Sequence, residues 1–197
     1  MTRDDERLAR AQEGPIVGGL PDAPGIRTAI GLTPGLGRNL LGLADELLVN
    51  DFPGATIDRF DRELLATSVS AANDCFFCMD SHGAHAAAVL DLGGDLGRLP
   101  QVDVVKLGGS QGLDPKMTAL VHIARTVARQ ARELTAADVA AALDAGASDG
   151  DVQLAVLIAA GFSMYNRMVD GFRARTAPST ELYRGRAAEI AVRGYGG

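Results

Sequence analysis

Two cysteines stand close together in this chain as Cys75-Phe-Phe-Cys78, and His82 follows four residues after the second. Thiols at that spacing do redox or metal chemistry. In a helix opening at Cys75, Cys78 falls at i+3 and His82 at i+7, so all three share one face. Cys75 and Cys78 can then close a disulfide across one turn, and His82 is near enough to act on the Cys78 thiol. A place at the helix N-terminus, the positive end of the macrodipole, is expected to favour a thiolate at Cys75. Glu63 lies eleven intervening residues upstream of Cys75. A helical hairpin would fold its carboxylate back against His82, and a carboxylate that holds an imidazole makes it a better proton acceptor. Such a set lets a base take a thiol proton and the thiolate attack an electrophilic oxygen or sulfur. The second cysteine then resolves the sulfenic acid or mixed disulfide as an intramolecular disulfide.

Other uses of these residues fit less well. Cys75, Cys78, His82 and His85 make a four-ligand list for zinc, but on one helical stripe they cannot surround a tetrahedral ion without help from another element. Covalent haem attachment needs His directly after the second Cys, where Met79 stands. A thioredoxin-like arrangement needs strands alternating with helices, and no segment reads as a strand. His85 is read as a helix-face residue and His122 as a packed or partly exposed one. Tyr165 and Asn166 read as core positions with satisfied hydrogen bonds, and Met164 and Met168 as core filler. The residues call for no bound cofactor or metal.

The elements that must hold the set are helical throughout. Asn39 to Phe52 carries leucines at helical spacing and stops at Pro53-Gly54. A helix starting near Ile57 or Asp58 runs through Glu63, breaks at Asn73-Asp74, and is followed by a second that ends at Gly93-Gly94. Residues 95–113 read as a loop with a short helical piece. Asp114-Pro115 opens a helix to Ala131, and Thr135 opens another to Ala145. The helix opened by Ser148 is apolar on nearly all sides and is expected to be the central, buried one. A last amphipathic helix spans Thr180 to Arg193. The resulting division is an arm over 1–34, a helical domain over 35–175, and a C-terminal helix and tail over 176–197 that reads as a subunit contact.

Composition agrees. The chain has 197 residues, 47% hydrophobic but only 5% aromatic and without Trp, so its core must be built from small aliphatic side chains that let helices approach closely. A net charge of -6 lacks the basic footprint of a nucleic-acid binder. The arginines Arg173, Arg175, Arg184, Arg186 and Arg193 alternate with apolar and acidic residues, as on a solvated face or subunit contact. No apolar run reads as a bilayer span, the charged start has no signal core, and a cytoplasmic location is expected.

The pattern Glu63-x11-Cys75-x2-Cys78-x3-His82 and its flanks, RELLATSVSAANDCFFCMDSHGA, resemble alkylhydroperoxidase D and its relatives in the carboxymuconolactone decarboxylase superfamily. The later stretch TAADVAAALDAGASDGDVQLAVLIAAGFSMYNRMVDGF resembles the "peroxidase-related" branch, so the similarity covers roughly residues 35–175. The resemblance implies an all-α, AhpD-like bundle, a homo-oligomer (trimer or hexamer) and peroxidase chemistry on organic hydroperoxides with an external dithiol reductant. It implies Cys78 as the attacking thiol, Cys75 as resolving partner, His82 as base and Glu63 as the end of the proton relay. One position departs: relatives carry His directly before the second Cys, and Phe77 stands there. The alternatives are an acid–base enzyme of the decarboxylase type using Glu63 and His82, and a non-catalytic redox sensor.

Overall fold

The computed structural model describes residues 14–176 and 180–196, together with Asp5 and Ala9. The remainder of the N-terminal arm lies outside the described residues. Nine α-helices and no strand occur among them, which makes the chain all-α. They are α1 (Arg27–Ile30), α2 (Pro34–Leu48), α3 (Arg59–Ala72), α4 (Phe76–Gly93), α5 (Pro100–Lys106), α6 (Pro115–Gln130), α7 (Ala136–Asp144), α8 (Asp149–Gly171) and α9 (Arg184–Arg193).

Most boundaries follow their capping signals. Asp58, Thr135 and Ser148 each accept from the third backbone N–H of their helix, while Asp61, Asp138 and Asp151 return the bond to the cap. Asp114 caps α6 ahead of Pro115. Helix α2 starts at Pro34, ahead of the Asn39 expected from its leucines, because Thr33 caps it with the same hydroxyl-then-Pro arrangement.

The buried centre is α3, not α8. Every residue from Phe60 to Ala71 is buried, whereas α8 exposes Gln153, Leu157, Ala160 and Arg167 along one stripe. Hydropathy misleads here because α3 carries polar side chains that find partners inside the bundle, although the Nε of Arg59 and of Arg62 has none among the described residues. Thr67 and Ser68 donate to the carbonyls of Glu63 and Leu65, Ser70 accepts from Asn166, and Arg62 donates to the carbonyl of Asn50. Helix α8 packs against α2, α3 and α6. By length and composition it could cross a membrane, contrary to the sequence reading, but half of its most apolar window is buried against these neighbours, as in the core helix of a globular bundle.

The described part of the arm folds back on its own chain. Gly25 donates to the carbonyl of Arg175 and Ile16 to that of Phe172. Gly25 has φ +55, and a Cβ there would lie 2.1 Å from the Phe77 ring, so only glycine lets the arm close over that ring. At the other end, α9 packs along α4 of its own chain.

Candidate functional site

The hairpin of α3 and α4 builds the site. Between the two helices Asp74 adopts φ 55, and Cys75 becomes the N-cap of α4. The turn is pinned from outside: the Asn73 side-chain amide donates to Ser163 Oγ (3.1 Å) and Asn166 Oδ1 (2.9 Å), and Asn166 donates on to Ser70 Oγ (3.1 Å). The register of Cys75 and Cys78 is thus fixed against α8. Asn166 keeps its expected role as a satisfied core residue, as does Tyr165, which donates to the carbonyl of Leu40 at 2.6 Å.

Cys75 and Cys78 are both buried free thiols. Cys78 lines a cavity of about 550 Å³; Cys75 does not, and sits behind it against Val169 and Ala174. The expectation of a thiolate at Cys75 is corrected. A hydrogen bond with Cys78 and burial push its thiol well above the ordinary range, outweighing the helix terminus. Cys75 therefore keeps its proton.

Glu63 is fully buried and reaches across the hairpin as the spacing predicts. Its Oε2 accepts from His82 Nδ1 at 2.8 Å. Burial alone would raise its pKa, but the hydrogen bond from His82, the proximity of the His82 and His85 imidazoles and the Tyr195 hydroxyl together hold it below the ordinary carboxylate range. The His82 ring packs edge-on against Phe162, with centroids 4.6 Å apart.

Two further residues join this pair. Tyr195, in the C-terminal tail, donates its hydroxyl to Glu63 Oε1 at 2.7 Å and lies 2.9 Å from His85 Nδ1. Burial, then the charge of Glu63, raises its phenol well above 10. His85 is not a bare helix-face residue: it is buried, and burial depresses its imidazole to about 3, so it is neutral. Position 85 lies one turn beyond His82 on the same face, so its spacing could have flagged it; Tyr195 carried no sequence signal. His122 lies apart from the site, exposed and paired with Asp138 at 3.0 Å.

Among the described residues, the donors grouped tightly enough to hold a cation are Glu63, His82 and His85, with ligand atoms within 4.8 Å of one another. Neither cysteine belongs to that group. The Tyr195 hydroxyl stands within hydrogen-bond distance of all three side chains, so each donor already has a protein partner.

The cavity wall is mainly apolar, and Ile26, Leu40, Phe77 and Phe162 line it together with Cys78 and His82. Phe77 also packs edge-on against Tyr183, at 5.5 Å between centroids. Arg27, Arg175 and Arg186 contribute to the lining, Arg175 in an ion pair with Asp22 at 3.1 Å.

Residues 35–94, which span the α3–α4 hairpin and every sequence-predicted site residue, match the carboxymuconolactone decarboxylase family. The fold is shared with a peroxidase-related protein of Ralstonia eutropha JMP134 described as an alkylhydroperoxidase AhpD core. That structure has a TM-score of 0.68 and 23% identity, over 84% of this chain and 82% of the other. The fold is AhpD-like. A peroxidase-related protein of Silicibacter sp. TM1040 has the same fold, with a TM-score of 0.67 and 22% identity over 89% of this chain and 94% of the other. At these identities the AhpD-like structures speak for the fold. No curated protein sequence matches the chain significantly.

Proposed function

We propose that this AhpD-like protein is a thiol peroxidase that reduces organic hydroperoxides through Cys78 and Cys75. The observation that carries the reading is the placement of Cys78 on an apolar cavity wall shared with His82, while Cys75 stands behind it. An apolar cavity of about 550 Å³ suits an organic hydroperoxide better than hydrogen peroxide.

In the first step His82 takes the Cys78 proton, and the thiolate attacks the terminal oxygen of R–O–O–H. The S–O bond forms as the O–O bond breaks, leaving Cys78 as a sulfenic acid. The departing alkoxide takes the proton back from His82 and leaves as ROH. In the second step the Cys75 sulfur attacks the Cys78 sulfur. The S–S bond forms, the S–O bond breaks, and hydroxide leaves as water with the Cys75 proton. Two thiols supply the two electrons, and an external dithiol restores them. Glu63 orients His82 and balances the charge that His82 gains. A homo-oligomer, trimer or hexamer, is part of the same proposal and is read by light scattering.

The test mixes reduced protein with cumene hydroperoxide or hydrogen peroxide and counts free thiols over time in wild type, Cys75→Ser and Cys78→Ser. Rapid loss of both thiols in wild type is expected, with a trapped sulfenic acid in Cys75→Ser and no reaction in Cys78→Ser. If the wild-type thiols react no faster than free cysteine, the peroxidase reading fails. The acid–base reading, which needs only Glu63 and His82, then takes its place. Stoichiometric oxidation without turnover would favour the redox-sensor reading.

A further inference from the structure

Two buried groups in the site play no part in the scheme above: the Tyr195 hydroxyl and the His85 imidazole. We propose that Tyr195 is a positioning residue that couples His85 to Glu63 and keeps the His85 proton on Nδ1. In this arrangement His85 is a second imidazole, beside His82, on the cavity that Cys78 lines.

The argument is a count of protons. An ionised carboxylate only accepts. Glu63 Oε2 is taken by His82 Nδ1 at 2.8 Å, and Oε1 lies 2.7 Å from the Tyr195 hydroxyl. Tyr195 has one proton, and the charged acceptor claims it. Its oxygen is then an acceptor toward His85 Nδ1 at 2.9 Å, so His85 must carry its proton there. Glu63 cannot impose this directly, since its Oε2 is 3.9 Å from His85 Nδ1. One carboxylate thus holds two imidazoles, His82 directly and His85 through the phenol. The hydrogen bond at one ring nitrogen sets the state of the other. Neither Nε2 has a hydrogen-bond partner among the described residues, and both rings line the cavity that holds Cys78.

The tail is built to present this hydroxyl. Asp45 accepts from the backbone N–H groups of Tyr195 (2.6 Å) and Gly196 (2.9 Å). Arg59 grips the carbonyls of Ile190 and Ala191 at the end of α9. The ring packs on His82 and His85, with centroids 5.8 and 5.4 Å away. None of these contacts uses the hydroxyl, so Tyr195→Phe keeps the tail in place and removes only the hydroxyl's bonds to Glu63 and the two imidazoles.

The proposal deepens the thiol reading of the same site, and its first readout does not depend on that reading. The chain has 3 histidines, so long-range proton–nitrogen spectra of full-length protein labelled in histidine can be assigned with His82→Gln and His85→Gln. Wild type should show Nδ1 protonated on His82 and His85. Tyr195→Phe should lose that signature on His85 alone, reverting it to the Nε2–H form that an unrestrained imidazole favours in water. The second readout is alkylation of Cys78 by iodoacetamide in a Cys75→Ser background. It should slow about 10- to 100-fold in Tyr195→Phe, the worth of one hydrogen bond to a charged group. His85→Gln should slow it comparably, and the double variant no further.

An unchanged His85 tautomer in Tyr195→Phe overturns the proposal. An altered tautomer with unchanged alkylation overturns the role given to His85. If both readouts change while wild type reduces no hydroperoxide, the peroxidase reading fails and the assignment of Tyr195 stands.

Discussion

Replacing Glu63 by Gln separates a relay from a mere buried pair. The carboxylate is fully buried and faces two donors, His82 Nδ1–H at 2.8 Å and the Tyr195 hydroxyl at 2.7 Å. Gln is nearly isosteric but offers one neutral oxygen and one NH2 group, so both donors lose a charged acceptor and one of them loses its acceptor altogether. A hydrogen bond to a charged acceptor is worth about 1.5–3 kcal/mol, and leaving its partner unmet adds to the loss. The substitution should therefore cost roughly 2–4 kcal/mol in urea unfolding, with the m-value unchanged. Because the carboxylate lies below its ordinary pKa in the fold, its contribution is present above about pH 4.5 and fades as the pH falls through the lower folded value. The larger effect falls on chemistry. His82 loses the partner that orients it and balances its charge, so thiol oxidation by cumene hydroperoxide should slow about 10²- to 10⁴-fold, the worth of a positioned proton acceptor. His82→Gln should slow it as much, and the double variant no further, because residues acting as one unit are not additive. Two independent losses that add in the double variant, or a Glu63→Gln rate within threefold of wild type, would refute the reasoning.

Other consequences follow from buried titratable groups. Asp151 joins α8 to the segment entering α3, accepting from Thr56 N (2.6 Å), Thr56 Oγ1 (2.7 Å), Ile57 N (3.0 Å) and Ser148 N (3.0 Å). Burial opposes its charge, but the bonds from Ser148, Thr56 and Ile57 prevail and lower its pKa from 3.8 to about 2. Its roughly 2 kcal/mol of stability is thus present above pH 4 and lost on acidification toward pH 2. Asp151→Asn should remove most of that acid sensitivity and lower neutral-pH stability by about 3 kcal/mol, measured by urea unfolding across pH. His85 has the opposite kind of shift. Held near 3 by burial, with His82, Arg186 and Arg59 adding to the shift and Glu63 opposing it, it binds a proton from pH 6.5 downward only when unfolded. It should destabilise the fold by about 2 kcal/mol at pH 5 relative to pH 8, and a His85→Gln variant whose stability keeps the same slope would contradict this.

Much of this molecule was legible along the chain. Local signals depend on neighbours in sequence: the capping residues Asp58, Asp114, Thr135 and Ser148, the break at Asn73-Asp74 and the helical spacing of the cysteines each act within a few residues. Glu63, Cys75, Cys78 and His82 could be read together because a hairpin converts their sequence spacing into proximity. Contacts between distant elements were not legible. Burial of α3 depends on partners from α4, α8 and the tail that satisfy its polar groups, so its hydropathy understated its place. Cys75 lost the benefit of its helix terminus because packing buried it beside Cys78. Tyr195 reaches Glu63 from 132 residues away. Only the docking of α9 along α4, with Asp45 and Arg59 holding its end, brings that hydroxyl into the site. The sequence by itself determined which side chains could do the chemistry; the tertiary structure decided which of them share protons, because a buried hydrogen bond depends on positions that no local spacing encodes.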